Sequence, residues 1–158
     1  IYLKEGFKDL FEKKAIAICH PDLATSGGLL ETKKIGDLAM EHGIGMALHM
    51  AGSPVTLFSF FHCAAATENF LVMEHHNVDD AWYDELVTGV PKPLMDKEGF
   101  IPVPDAPGLG IELNEDAIKA QLKDPARYFA PTPEWNEERA WDRLWSRSAP
   151  EVNGPPRA

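Results

Sequence analysis

The chain has 158 residues, 44% of them hydrophobic, which is enough for one well-buried core. Against 15 Lys and Arg stand 25 Asp and Glu, a formal net charge of -10, and the pI is near 5.0. That balance argues against nucleic acid or an anionic membrane as partner. No stretch reaches the roughly 18 apolar residues a membrane span needs, and no basic-then-apolar signal segment opens the chain.

The chain opens without Met, at "IYLKEGFKDLF", in what reads as the run-up to a helix, so a further N-terminal part is expected. Phe7, Leu10 and Phe11 fall at helical spacing and predict a short helix over 4–13. "AIAIC", 15–19, predicts a strand, ended by "HPD" because Pro21 disfavours a helical conformation for His20. "TSGG" predicts a turn. A helix is expected from about 29 to 42, with Leu30, Ile35, Leu38 and Ala39 on its apolar side. Gly43 suits the left-handed position that follows a helix. "IGMAL", 44–48, is the second strand. Ser53 and Pro54 supply an N-cap hydroxyl and a first-turn proline for a helix running to about Thr67. "FLVM", 70–73, is the third strand.

Strand, turn and helix thus repeat about every 25 to 30 residues, the size of a βα unit. Short apolar strands between amphipathic helices predict an α/β fold with a parallel sheet covered on both faces. After Glu74 the rhythm stops. "HHNVDDAWYDELV" predicts an acidic loop and helix, "GFIPVPDAPGLGIEL" short extended pieces, and "EDAIKAQL" a short helix. Three tryptophans, Trp135, Trp141 and Trp145, lie in a charged tail and need a surface to pack against.

Ligands of parallel α/β proteins bind outside the C-terminal ends of the strands. Here three successive strands end in ionisable groups: Asp22, His49 and Glu74. Asp22 and His49 are 27 positions apart, one βα unit, which predicts neighbouring strand tips at one height. Asp22 can then accept from one ring nitrogen of His49 and leave the other free as a base. Glu74 stands one strand further along. A lone strand-end His or a single Asp after Pro is ordinarily a turn residue; three in register point to a site.

At these residues the chain resembles the enolase superfamily, in its mandelate racemase/muconate lactonizing enzyme-like branch. The resemblance lies in "HPDLATSGGLLETKKIGDLAMEHGIGMALHMAGSP", "ENFLVMEHH" and "IPVPDAPGLGIEL", in that order, and covers roughly residues 1–120. It implies the C-terminal part of a modified TIM (β/α) barrel, with residues 1–90 as the last βα units. Residues 91–158 would close the barrel and pack on a capping domain that lies, with the first strands, outside this chain. It also implies a Mg²⁺-dependent acid-sugar dehydratase that removes the proton α to a carboxylate. His49 would be the general base, Asp22 its orienting partner and Glu74 the acid bonding the substrate carboxylate, with Glu68 a weaker candidate for that role. The Mg²⁺ ligands are expected upstream, and none is assigned in this chain.

A sugar acid is the expected small-molecule partner, and a homo-oligomer the expected assembly. Two alternatives remain open: a racemase or epimerase of the same branch, and a non-catalytic α/β module, either flavodoxin-like or a barrel relative that has lost its chemistry. Cys19 and Cys63 lie in apolar runs and read as reduced, packed thiols of a cytoplasmic protein. The pairs Cys19–His20, His62–Cys63 and His75–His76 lack the spacing of tetrahedral zinc motifs, so no zinc site is expected.

Overall fold

The βα rhythm read from the sequence is present in the computed structural model, which describes residues 1–125 and Tyr128. Helix α1 (Leu3–Glu12) buries Phe7 and Phe11, one turn apart on a single face. Strand β1 is only Ile18–Cys19, shorter than the apolar run that encodes it. A single helical turn, α2 (Leu23–Ser26), stands where a plain turn was predicted. Its signal was Asp22, whose carboxylate accepts from the Ala24 N–H at 2.8 Å as an N-cap does. Helix α3 (Leu29–Glu41), strand β2 (Gly45–Leu48), helix α4 (Pro54–Ala65) and strand β3 (Phe70–Met73) follow within a residue or two of expectation. Gly43 has φ +71°, the left-handed conformation the sequence required after α3.

The buried face of α3 differs from the predicted one. Thr32, Ile35, Gly36 and Ala39 are buried, whereas Leu30 is 68% exposed. At ~100° per residue, Ile35 and Ala39 share an arc with Thr32 and Gly36, while Leu30 projects from the opposite side. The small residues Gly36 and Ala39 carry the contact. A Cβ on Gly36 would lie 2.6 Å from the Thr67 methyl and 3.1 Å from the Met46 sulfur, so only glycine lets α3 approach the sheet this closely.

β1, β2 and β3 form a parallel sheet in that order. Met46 and Leu48 of β2 are fully buried, as are Leu57, Phe58 and Phe60 of α4, so the core lies between the central strand and its helices. The two outer strands are less covered: Ile18 is 52% exposed and Leu71 and Val72 of β3 are 57% and 60%. Neighbours on a strand point to opposite faces, so β3 is open on both.

Downstream, a 3₁₀ turn (Tyr83–Leu86) leads into β4 (Val87–Thr88), which pairs antiparallel with β5 (Glu112–Leu113). Helix α5 (Glu115–Gln121) follows. Residues Ile1–Gln121 form one compact unit and the second unit begins at Leu122. Trp135, Trp141 and Trp145 fall outside the described residues. Among the described residues no helix is long and apolar enough to cross a membrane.

Both cysteines are free and buried. Burial pushes the Cys19 thiol up to about 11, against a smaller opposing backbone hydrogen bond, and pushes Cys63 up as well. At pH 8 a thiol of that pKa is ionised in about one molecule in a thousand, and the thiolate is the nucleophile. Neither cysteine should react with a disulfide reagent at pH 8 until denaturant is added. Rapid labelling of the native protein would contradict this packing.

Candidate active site at the strand tips

The sheet hydrogen bonds run on past the strands and bring the three tips together. The His49 N–H donates to the Pro21 carbonyl at 3.1 Å, and the Glu74 N–H donates to Leu48 at 3.0 Å. The residues after β1, β2 and β3 are thereby held in register, so their side chains leave the sheet at one edge.

Asp22 and His49 meet there. His49 Nδ1 lies 3.1 Å from Asp22 Oδ2, while Asp22 Oδ1 is occupied by the Ala24 N–H. An ionised carboxylate can only accept, so Nδ1 carries the proton and His49 Nε2 presents a lone pair. The pair is partly sheltered, the Asp22 side chain being 21% exposed and His49 38%. Glu74 Oε2 lies 3.8 Å from that Nε2.

Two further histidines complete the cluster, both of which the sequence offers only as members of adjacent pairs without zinc-motif spacing. His20 Nε2 and His76 Nε2 each stand 3.4 Å from Glu74 Oε2. His20 Nδ1 is 3.1 Å from the Ala47 carbonyl, which fixes Nδ1 as its donor and turns Nε2 toward the carboxylate. The His20 and His49 rings meet edge to face at 5.6 Å, and His49 and His76 are 5.9 Å apart. The chain leaving β3 alternates sides: Glu74 and His76 join the cluster, and His75 stacks near Tyr83 at 5.4 Å. An alternating E-x-H at a strand end was the available signal, passed over because His75–His76 was read as an adjacent pair.

Glu74 Oε2 is closed off from solvent, yet no donor is aligned to it as a hydrogen bond. Burial pushes its pKa up. The charges of His20, His49 and His76 pull it down, and the net effect is a value below the usual carboxylate range. That pull exists only while the imidazoles are protonated.

Glu68 is exposed and precedes β3, at the far end of the strand from Glu74, so it takes no part here. Tyr83 ties the loop after His49 to the unit through a 2.8 Å hydrogen bond to the Gly52 carbonyl. His62 points away from the cluster, to the Leu109 carbonyl at 3.2 Å.

His49, Glu74 and His76 offer ligand atoms that lie within 4.8 Å of one another. Mg²⁺ takes oxygen ligands in a near-octahedral shell. Two ring nitrogens and one carboxylate oxygen do not make such a shell, so the described residues do not fit a Mg²⁺ site.

A parallel α/β unit with ionisable side chains gathered at successive strand tips is the class from which barrel active sites are built. Residues 1–117 match the enolase C-terminal domain-like family, and the chain belongs to it. Among similar proteins, the D-xylonate dehydratase of Haloferax volcanii is 35% identical over 129 residues, covering 82% of this chain and 31% of that protein. The D-galactarolactone cycloisomerase of Agrobacterium fabrum is 32% identical, covering 70% of this chain and 31% of that one. The chain therefore spans about a third of the length of these relatives. A mandelate racemase/muconate lactonizing enzyme-like protein from Rubrobacter xylanophilus superposes with a TM-score of 0.69 at 38% identity, over 74% of this chain and 29% of the other. The fold is thus the α/β fold of the mandelate racemase-like barrel enzymes, of which this chain carries a part.

Proposed function

We propose that the protein carrying this chain is an acid-sugar dehydratase in which His49 removes the proton α to the substrate carboxylate. The observation that supports the reading most is the 3.1 Å contact between His49 Nδ1 and Asp22 Oδ2. Asp22 binds Nδ1–H, so the lone pair of Nε2 is presented at the strand tips, where a general base must stand.

Removal of the C2 proton by Nε2 leaves an enediolate and a charged imidazolium. Expulsion of the C3 hydroxyl, which takes that proton and leaves as water, gives an enol that tautomerises to a 2-keto-3-deoxy acid. His49 thus serves as base and then as acid. Asp22 stabilises the imidazolium between the two steps. Glu74 binds the substrate carboxylate through a shared proton, since a second carboxylate beside it raises its pKa. Imidazole is too weak a base for an unassisted α-proton, and family members generally meet that charge with Mg²⁺. Its ligands would come from carboxylates outside this chain. We assign residues 1–90 to the barrel units and 91–158 to the segment that closes them, in a cytoplasmic homo-oligomer.

The test is a panel of aldonic and aldaric acids offered to the full-length protein with Mg²⁺. The expected result is loss of water and accumulation of a 2-keto-3-deoxy acid from at least one of them. Exchange of the α-proton for solvent deuterium with inversion and no loss of water would replace dehydration by racemisation. No turnover and no exchange across the panel would overturn the reading.

A further inference from the structure

The cluster at the strand tips holds more acceptors than a proton-transfer site requires. His49 and His20 each have their Nδ1 proton engaged, by Asp22 and by the Ala47 carbonyl, so in their neutral forms both turn Nε2 lone pairs inward. Both lone pairs face Glu74 Oε2, an oxygen removed from solvent with no aligned donor. His76 Nε2 stands 3.4 Å from the same oxygen. With His20 and His49 neutral, two lone pairs and a carboxylate oxygen converge here, and a positive centre, a proton on an imidazole or a metal ion, relieves that.

We propose that His49 Nε2, His76 Nε2 and Glu74 Oε2 bind a borderline divalent cation, Zn²⁺ foremost, at a site distinct in chemistry from any Mg²⁺ site. Ligands held about 2.0–2.1 Å from a tetrahedral Zn²⁺ stand roughly 3.4 Å from one another. The His76–Glu74 separation is 3.4 Å, the His49–Glu74 separation 3.8 Å, and all three ligand atoms lie within 4.8 Å of one another, so side-chain closure of about an ångström completes the set. Two imidazole nitrogens and one carboxylate suit Zn²⁺, Ni²⁺ or Cu²⁺ and not a hard cation. The outer shell fits too. A metal-binding histidine donates its other ring N–H to a carboxylate or a carbonyl, as His49 does to Asp22.

His20 Nε2 also stands 3.4 Å from Glu74 Oε2, outside the proposed ligand set, and steadies the carboxylate when its ring is protonated. The donors come from two different strand ends, so the local spacing of zinc motifs does not apply. The fourth position is open to water or to a hydroxyl of a ligand.

Occupancy removes the lone pair that the proposed dehydration requires. Zn²⁺ should therefore inhibit in competition with the sugar acid. That consequence rests on the dehydratase reading, whereas the binding itself does not.

The experiment uses full-length protein stripped of metal and held in excess Mg²⁺, titrated with Zn²⁺ against a chromophoric chelator. Co²⁺ serves as a spectroscopic probe of coordination. The expected result is one saturable Zn²⁺ per chain that excess Mg²⁺ does not displace, with visible Co²⁺ bands of low-coordinate geometry. His76→Ala and Glu74→Gln should each weaken binding at least about 10-fold, and Asp22→Asn about 10–100-fold through the outer shell. His76 is more than half exposed, so its replacement does not threaten the fold. Absence of saturable binding in Mg²⁺, or binding that these variants leave unchanged, overturns the site. Zinc binding with the expected variant effects in a protein that dehydrates no sugar acid would sink the functional reading and leave this one standing.

Discussion

His49→Asn in the full-length protein is expected to lower kcat by about 10²–10⁴-fold, the usual loss on removing a general base, while the protein stays folded. This corresponds to about 2.7–5.5 kcal/mol of barrel-site transition-state stabilisation. The fold should survive because the tip is held by backbone: the His49 N–H bonds the Pro21 carbonyl whatever side chain stands there. The imidazole itself is 38% exposed and fills no part of the core. Asn can still reach Asp22 through its amide N–H₂, but it carries no basic nitrogen where Nε2 stood. Substrate affinity should change little, so the loss falls on kcat rather than KM. The measurements are steady-state kinetics and a thermal melt on the same preparation. A variant with near-normal kcat removes His49 from the role of base.

Much of this site was readable from local pattern. Ser53–Pro54 marked the start of α4, Gly43 the end of α3, and "FLVM" matched β3. Those signals are short-range, and a strand end is fixed by its own turn chemistry. The 27-residue interval between Asp22 and His49 also translated directly into adjacency, because one βα unit advances the chain by one strand.

What escaped was set by contacts between distant segments. Leu30 was placed on the apolar side of α3, but the sheet receives the small residues Gly36 and Ala39, which allow a closer approach than leucine. The brevity of β1 follows from its register with β2, which pairs Ile18 with Gly45 and Cys19 with Met46, and not from its own apolar run. In the sequence His20 and His76 stand in the adjacent pairs Cys19–His20 and His75–His76, whose spacing matches no tetrahedral zinc motif. In the fold the members of a pair part company: His76 turns to Glu74 and His75 to Tyr83, while Cys19 is buried and His20 is not. Clusters assembled from several strand ends have no linear spacing to recognise.

Asp22→Asn should cost as much as loss of the base, through the position of a single proton. The two oxygens of Asp22 have separate tasks: Oδ1 accepts from the Ala24 N–H at 2.8 Å, and Oδ2 accepts from His49 Nδ1 at 3.1 Å. Asn at this position keeps the cap, because its amide oxygen can take over the bond to Ala24, and Asn caps helices about as well as Asp. The cap also fixes the orientation of the amide, since a flip would set N–H₂ against the Ala24 N–H. The amide nitrogen must then face His49 Nδ1, and a donor there requires Nδ1 to be the acceptor. The proton moves to Nε2, and the lone pair that would receive the substrate proton is gone. Replacing the carboxylate partner of a catalytic histidine by its amide in this way lowers kcat by up to about 10⁴-fold with the geometry intact. The expected signature is a large loss in kcat, a small change in KM and an unchanged melting temperature. A stability loss that matches the activity loss would show Asp22 to be a cap only, and a ring-nitrogen NMR spectrum still showing the Nδ1–H tautomer would overturn the orienting role.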